Sequence, residues 1–380
     1  MSDGTSATRI AAACRARAAA SLTLLAELTA LDAPSGDRGL LDAVARLLED
    51  RLTALGAGVR TIPTDAGTHL EARLGDGDGP PLLLLAHYDT VWGPGTAAAR
   101  PFRVREGVAS GPGVFDMRGG IAAALTALGV LHDLGELRRP VTVLLTADEE
   151  TGSRTSEAEI TRLGRDVRHV LIPEPPLAGG ALKTRRKGVI TYAIEVRGRA
   201  AHAGLDPERG VSAVSELARI IGALEGAASP AEGTTVNVGR VSGGTRSNVV
   251  PAEATADVDV RVATMAEYER MIGVFDGLRP SLAGAEVGAR LLHARPPMER
   301  TEAIGGAFQR AREIAALAGL ELGEGAAGGA SDGNFLAPLG AGVLDGLGPD
   351  GGGAHALDEH VLTASLEERV VLIALLVALL

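Results

Sequence analysis

A chain of 380 residues exceeds what one hydrophobic core usually supports, so two domains are expected. Its net charge of −11 argues against nucleic acid or an anionic membrane as a partner, since both demand a basic face. A single cysteine, Cys14, excludes an intrachain disulfide and fits a reducing, cytoplasmic setting, while aromatics at 2% leave the core to Leu, Val, Ala and Ile.

Residues 8–31 and 38–55 carry apolar positions at helical spacing, with a break at Ala33-Pro34-Ser35-Gly36 and with Asp32 and Ser35 as candidate caps. Asp3, Arg9, Arg15 and Arg17 interrupt the alanine-rich start, which predicts a surface helix rather than a secretion signal. Strands are expected at 59–62 and 70–74. The run LLLLA at 82–86 has no polar alternation, so it reads as a strand covered on both faces. It ends in His87-Tyr88-Asp89. Two residues apart on an extended chain, His87 and Asp89 point to the same side. They could be a metal ligand with its orienting carboxylate, or simply a hydrogen-bonded structural pair.

A loop rich in Gly, Pro and Ala follows, then GPGVFDMRGG, in which Asp116 stands among glycines before a helix expected at 121–134. Asp116 could cap that helix or hold a cation beside it. The apolar run at 141–145 reads as a buried strand ending in Asp148-Glu149-Glu150. Adjacent glutamates at a strand end are either solvated loop acids or a pair held by something cationic. In an open α/β sheet, ligands sit beyond the carboxyl ends of the strands. A helix at about 154–163 and a strand at 167–172 follow, and the strand ends in Pro173-Glu174-Pro175.

From Lys183 the pattern changes. Strands at 188–198, 234–241, 255–262 and 286–293 alternate in polarity, with helices at 211–227 and 265–278 between them. Strand-helix-strand-strand-helix-strand is the split βαβ order of a ferredoxin-like domain. The expected fold is therefore a mixed-sheet α/β catalytic domain with helices on both faces, formed by 1–186 and 298–380, interrupted by an α+β insertion at 187–297. KTRRK at 183–187 is read as a solvated hinge. Residues from about 299 resume helix, a short strand is expected at 343–347, and GPDGGGAH brings His355 in on a glycine-rich loop. The final apolar run of 11 residues reads as a buried helix. Neither glycine stretch fits a phosphate-binding fingerprint.

Four strand ends or adjoining turns thus present His87, Asp116, Glu150 and Glu174, and a late loop adds His355. Two imidazoles and three carboxylates suit zinc, with cobalt or manganese as alternatives. Five donors exceed one open catalytic site but match two ions sharing one carboxylate, for which Asp116 is best constrained. Glu149, beside a ligand but not required as one, is the natural general base for a metal-bridging water.

These blocks resemble the di-zinc aminoacylase–carboxypeptidase family, and most nearly its glutamate carboxypeptidase branch. HYDTV, GPGVFDMRGG, TADEETGS, PEP and GGGAH match in order, with GRAAHAG, SNVVPAEATADVDVR and ARPPME in the insertion. The resemblance implies that Asp116 bridges two divalent ions, that His87 and Glu174 complete one site, and that Glu150 and His355 complete the other. Asp89 then orients His87 and Glu149 is the base. The Asp116–Met117 bond is often cis in that family. The insertion corresponds to a lid that forms a homodimer, and His202 to a lid histidine that steadies the oxyanion in the partner's site. Arg261 and Arg295 match positions that hold the substrate carboxylate, with Asn248 adding a hydrogen bond. His69, His132, His169, His293 and His360 are read as structural or surface residues. The implied activity is hydrolysis of the amide next to a C-terminal amino acid with a free carboxylate, on a small peptide. Alternatives are an N-acyl-amino-acid deacylase or a non-catalytic metal-binding dimeric scaffold. After His355 the run ALDEH departs from the branch's pattern, which leaves the substrate open.

Overall fold

The computed structural model describes residues 3–380. The chain forms two compact units. One comprises the chain up to Arg185, Arg300–Ala327 and Ser331–Leu380; the other comprises Arg186–Glu299 and Gly328–Ala330.

The first unit is built on an eight-stranded sheet to which the chain contributes β1 (Gly58–Pro63), β2 (Thr68–Leu74), β3 (Leu82–His87), β4 (Val141–Thr146), β5 (His169–Ile172), β6 (Leu182–Arg186), β11 (Glu324–Ala327) and β12 (Gly342–Asp345). The order across the sheet is β1-β2-β4-β3-β5-β12-β6-β11. The four central strands, β4, β3, β5 and β12, are mutually parallel, and β1 and β2 run antiparallel at one side. Every residue of β3 is buried, as its unbroken apolar run requires of a central strand. The helix Gly119–Leu134, almost wholly buried, packs against the terminal helix Thr363–Leu379. Val114–Leu134 has the length and hydropathy of a membrane span, and 83% of its most apolar stretch is buried inside the protein.

Three local expectations are corrected. The segment read as one helix at 8–31 is two, Asp3–Ala16 and Ala18–Thr29, with Arg17 out of helical geometry between them. The next helix begins at Arg38, so its cap is Asp37, which accepts the Leu40 N–H at 3.2 Å. Asp32 instead accepts the N–H groups of Gly95 and Ala97, and Ser35 donates to Asp89. KTRRK is not a solvated hinge, because its first four residues lie in β6, where Lys183 and Arg186 are buried. A small sheet that sequence periodicity did not show joins Arg103–Arg105, Val108–Ser110, Gly351–Gly352 and His360–Leu362.

The second unit contains β7 (Gly188–Arg197), β8 (Thr235–Gly243), β9 (Glu253–Val262) and β10 (Glu286–Arg295) in the antiparallel order β8-β9-β7-β10. That is the strand arrangement of a ferredoxin-like fold. Alternation in β7 and β9 turns Ile190, Tyr192, Ile194, Val258 and Val260 to one face, which packs with the helices Ala213–Gly226 and Met265–Asp276. Tyr192 and Phe275 stack with ring centroids 3.9 Å apart.

Candidate metal centre

The carboxyl ends of the parallel strands carry most of the donor side chains. β3 closes on His87, β4 leads into Asp148-Glu149-Glu150, β5 into Glu174, and β12 into the loop that reaches His355. Asp116 lies just before the helix Gly119–Leu134, and the Asp116–Met117 bond is cis. It does not cap that helix, which begins three residues later. Gly120 lets the helix start approach the Glu174 turn, since a Cβ there would fall 1.8 Å from the Pro173 carbonyl oxygen.

The two oxygens of Asp116 face different histidines. His87 Nε2 lies 3.2 Å from Oδ1 and 3.4 Å from Glu174 Oε1. His355 Nε2 lies 3.5 Å from Oδ2 and 3.2 Å from Glu150 Oε2. Two donor groups result, His87–Asp116–Glu174 and Asp116–Glu150–His355, each with its donor atoms within 4.8 Å of one another. One imidazole and two carboxylates per group suit zinc and its neighbours. Glu150 Oε1 is buried without a hydrogen-bond partner, an acceptor that a cation would satisfy. The residues present therefore fit two divalent ions.

Without ions, the groups perturb one another. Burial alone would raise the Asp116 carboxyl, but hydrogen bonds from His355 and His87 outweigh it and hold the group low. Burial disfavours the His87 imidazolium, yet Asp116, Asp89 and Glu174 together push it well above the ordinary range. The hydrogen bond to Asp116 lifts His355 to about 9, and burial pushes Glu150 up to about 8. Carboxylates and imidazoles tuned this far apart mark a functional site.

Asp89 ties two of the strand ends together. Its carbonyl oxygen accepts from His87 Nδ1 at 3.1 Å, with the carboxylate Oδ1 at 3.4 Å. Its carboxylate oxygens accept the backbone N–H groups of Glu149 and Glu150, both at 3.2 Å, and the Ser35 hydroxyl at 2.7 Å. The completely buried Asp89 thus fixes the imidazole and the glutamate pair at once.

In the second unit, His202 is exposed, and its Nδ1 accepts the N–H groups of Gly204 and Leu205, both at 3.1 Å. A neutral ring so held carries its proton on Nε2. The adjoining Ala203 N–H donates to the Asn248 carbonyl at 3.0 Å, so His202 and Asn248 are neighbours. Arg261 and Arg295 flank Val189 in register on β9 and β10. Arg295 is buried, and Arg261 makes a two-point ion pair with Asp259.

Sequence reasoning missed several supporting groups. Buried His69, read from the sequence only as structural or surface, accepts the Ala147 N–H and pairs with the Thr155 hydroxyl, which donates to Asp148, and so braces the loop before Glu149. Buried Asp332 accepts from the hydroxyls of Ser153 and Thr146. Glu359 gathers four donors around the Asp116 loop. No periodicity marks any of them. Glu359 alone had a signal, its place four residues after His355.

Cation-binding donor sets at the ends of parallel strands, beside an unassigned glutamate, define a metal-dependent hydrolase site. Comparison with known proteins agrees: the chain belongs to peptidase family M20/M25/M40, whose model matches residues 83–379. It is 30% identical over 362 residues to carboxypeptidase G2 of Pseudomonas sp. (strain RS-16), covering 93% of this chain and 87% of that protein. It is also 30% identical over 347 residues to succinyl-diaminopimelate desuccinylase of Thioalkalivibrio sulfidiphilus (strain HL-EbGR7), covering 85% and 89% of the two chains. Among solved structures, aminopeptidase PepT of Bacillus cereus ATCC 10987 superposes with a TM-score of 0.76 at 22% identity, covering 95% of this chain and 99% of that one. The chain is a di-metal peptidase/amidohydrolase of this family.

Proposed function

We propose that the chain hydrolyses the amide bond beside a C-terminal amino acid with a free carboxylate, in the manner of a glutamate carboxypeptidase. The observation that carries this reading is Asp116, whose two oxygens serve two histidine-containing donor sets. Zinc ions, or cobalt or manganese, would be held by His87, Asp116 and Glu174 on one side and by Asp116, Glu150 and His355 on the other. Such ions lower the pKa of a bound water toward ~7 and polarise a carbonyl. Glu149 takes the water's proton and passes it to the departing nitrogen. His202, its proton on Nε2, donates to the developing oxyanion from a second copy of the chain, within a homodimer formed through the second unit. Arg295, Arg261 and Asn248 hold the substrate carboxylate, a group that suits guanidinium better than ammonium.

The similarity to desuccinylases supports a second reading, N-acyl-amino-acid deacylation by the same residues. Metal-reconstituted protein assayed on α- and γ-glutamyl peptides and on N-acyl amino acids separates the two. Faster turnover of glutamyl peptides is expected; turnover confined to N-acyl amino acids would replace the first reading with the second.

A further inference from the structure

We propose that Glu359 is the positioning residue that holds the Asp116 loop ready for metal. It rests on the metal-site reading above and goes beyond the donors themselves. Glu359 is 1% exposed, and its carboxylate accepts four hydrogen bonds. Oε1 receives the backbone N–H of Phe115 at 3.0 Å and of Asp116 at 3.1 Å. Oε2 receives the Gly113 N–H and the Trp92 indole N–H, both at 2.8 Å.

The loop is irregular, and its other bonds, Arg118 N–H to the Gly113 carbonyl at 2.9 Å among them, leave three of its N–H groups to Glu359. Asp116 and Met117 depart from helical angles, and Gly113 has φ +74°. Of the four N–H groups at 113–116, that of Val114 donates to the Gly111 carbonyl at 3.4 Å and the other three donate to Glu359. Buried N–H groups need partners, and here one side chain supplies them.

Glu359 also belongs to the segment that carries His355. Two successive backbone turns, Ala356 N–H to Gly353 and Glu359 N–H to Ala356, fold that segment tightly. One short stretch thus presents a donor to Asp116 Oδ2 and grips the backbone behind Asp116. Arg100 closes the group from outside, with its guanidinium carbon 4.3 Å from the Trp92 ring centroid and Nη2 donating to the Leu357 carbonyl at 2.8 Å.

Four donors demand a carboxylate. A glutamine has one acceptor oxygen, so its NH₂ would face at least one N–H group, and an aspartate is a methylene too short. Supporting partners of this kind typically contribute ~10–100-fold to metal affinity.

The test is zinc affinity of metal-stripped protein by competition with a chromogenic chelator. Glu359→Gln is expected to bind zinc ~10–100-fold more weakly than wild type, with unchanged far-UV circular dichroism. Trp92→Phe, which removes one donor and leaves the three backbone bonds, is expected to stay within about threefold of wild type. Zinc affinity of folded Glu359→Gln within twofold of wild type overturns the proposal while leaving the metal site intact. Wild-type protein that binds no zinc sinks the metal reading itself. Should Glu359→Gln fail to fold, amide exchange on metal-free wild type decides. Protected amides at Gly113, Phe115 and Asp116 are expected, and exchange at open-loop rates overturns the proposal.

Discussion

Asp89 Oδ1 accepts the backbone N–H of Glu149 at 3.2 Å. The residue two past the candidate donor His87 therefore sets the backbone position of the glutamate proposed to move the proton. The buried Asp89 thus holds the side chains of Ser35 and His87 and the backbone N–H groups of Glu149 and Glu150 in register.

Because Glu149 belongs to neither donor group, its loss should spare the metals. Glu149→Gln is expected to lower kcat by at least ~10²-fold, the usual contribution of a general base. Metal content measured by atomic emission should match wild type. Near-normal turnover in this variant would exclude Glu149 as the base.

Asp116 is common to both donor groups, whereas His355 serves one and is half exposed. Asp116→Ala should abolish tight binding at both positions. His355→Ala should remove one ion and keep the His87–Asp116–Glu174 position filled. Equilibrium dialysis with zinc reads the stoichiometry directly, and equal losses in both variants would contradict a shared aspartate.

The candidate donors that the structure gathers were legible in the sequence because most follow an apolar run that reads as a buried strand or precede a buried helix, as at Leu82–His87 and Val141–Thr146. The same logic located the alternating strands of the second unit. What escaped were groups whose role depends on who else is buried nearby. His69, Asp332 and Glu359 follow no hydrophobic periodicity, and the partners named for them above lie as far as 267 positions away. KTRRK misled for the same reason. Its charges suggested solvent, but the segment is an interior strand between β12 and β11, and Lys183 and Arg186 are buried.

The pH dependence of metal-free and metal-loaded protein should run in opposite directions. In metal-free protein, Asp116 raises His355 from 6.5 to about 9, so its contribution to stability is full below 6.5 and lost as pH rises through 9. Burial raises Glu150 from 4.5 to about 8, and its contribution is likewise lost as pH climbs to 8. The melting temperature in chelator should therefore fall between pH 6.5 and 9. Metal needs the imidazole neutral and the carboxylate ionised, so zinc affinity should rise over the same interval with proton release. Melting curves with chelator and with zinc, taken at half-unit steps, test both signs. A metal-free melting temperature that climbs with pH would refute the coupling.

The Nδ1 of His202 is occupied by two backbone N–H donors, which leaves Nε2–H as the group available to a substrate. If that proton meets the oxyanion, His202→Ala should lower kcat by ~10²–10³-fold, the scale of one lost oxyanion donor. Zinc stoichiometry should be unaffected, since His202 is in neither donor group. His202→Asn, which keeps a side-chain N–H, should recover part of the loss. The proposed homodimer allows a sharper measurement. Mixing inactive Glu149→Gln with inactive His202→Ala should regenerate activity, because one of the two sites in a mixed dimer then pairs an intact Glu149 with the partner subunit's His202. If subunits exchange and no activity returns, His202 does not act across the dimer.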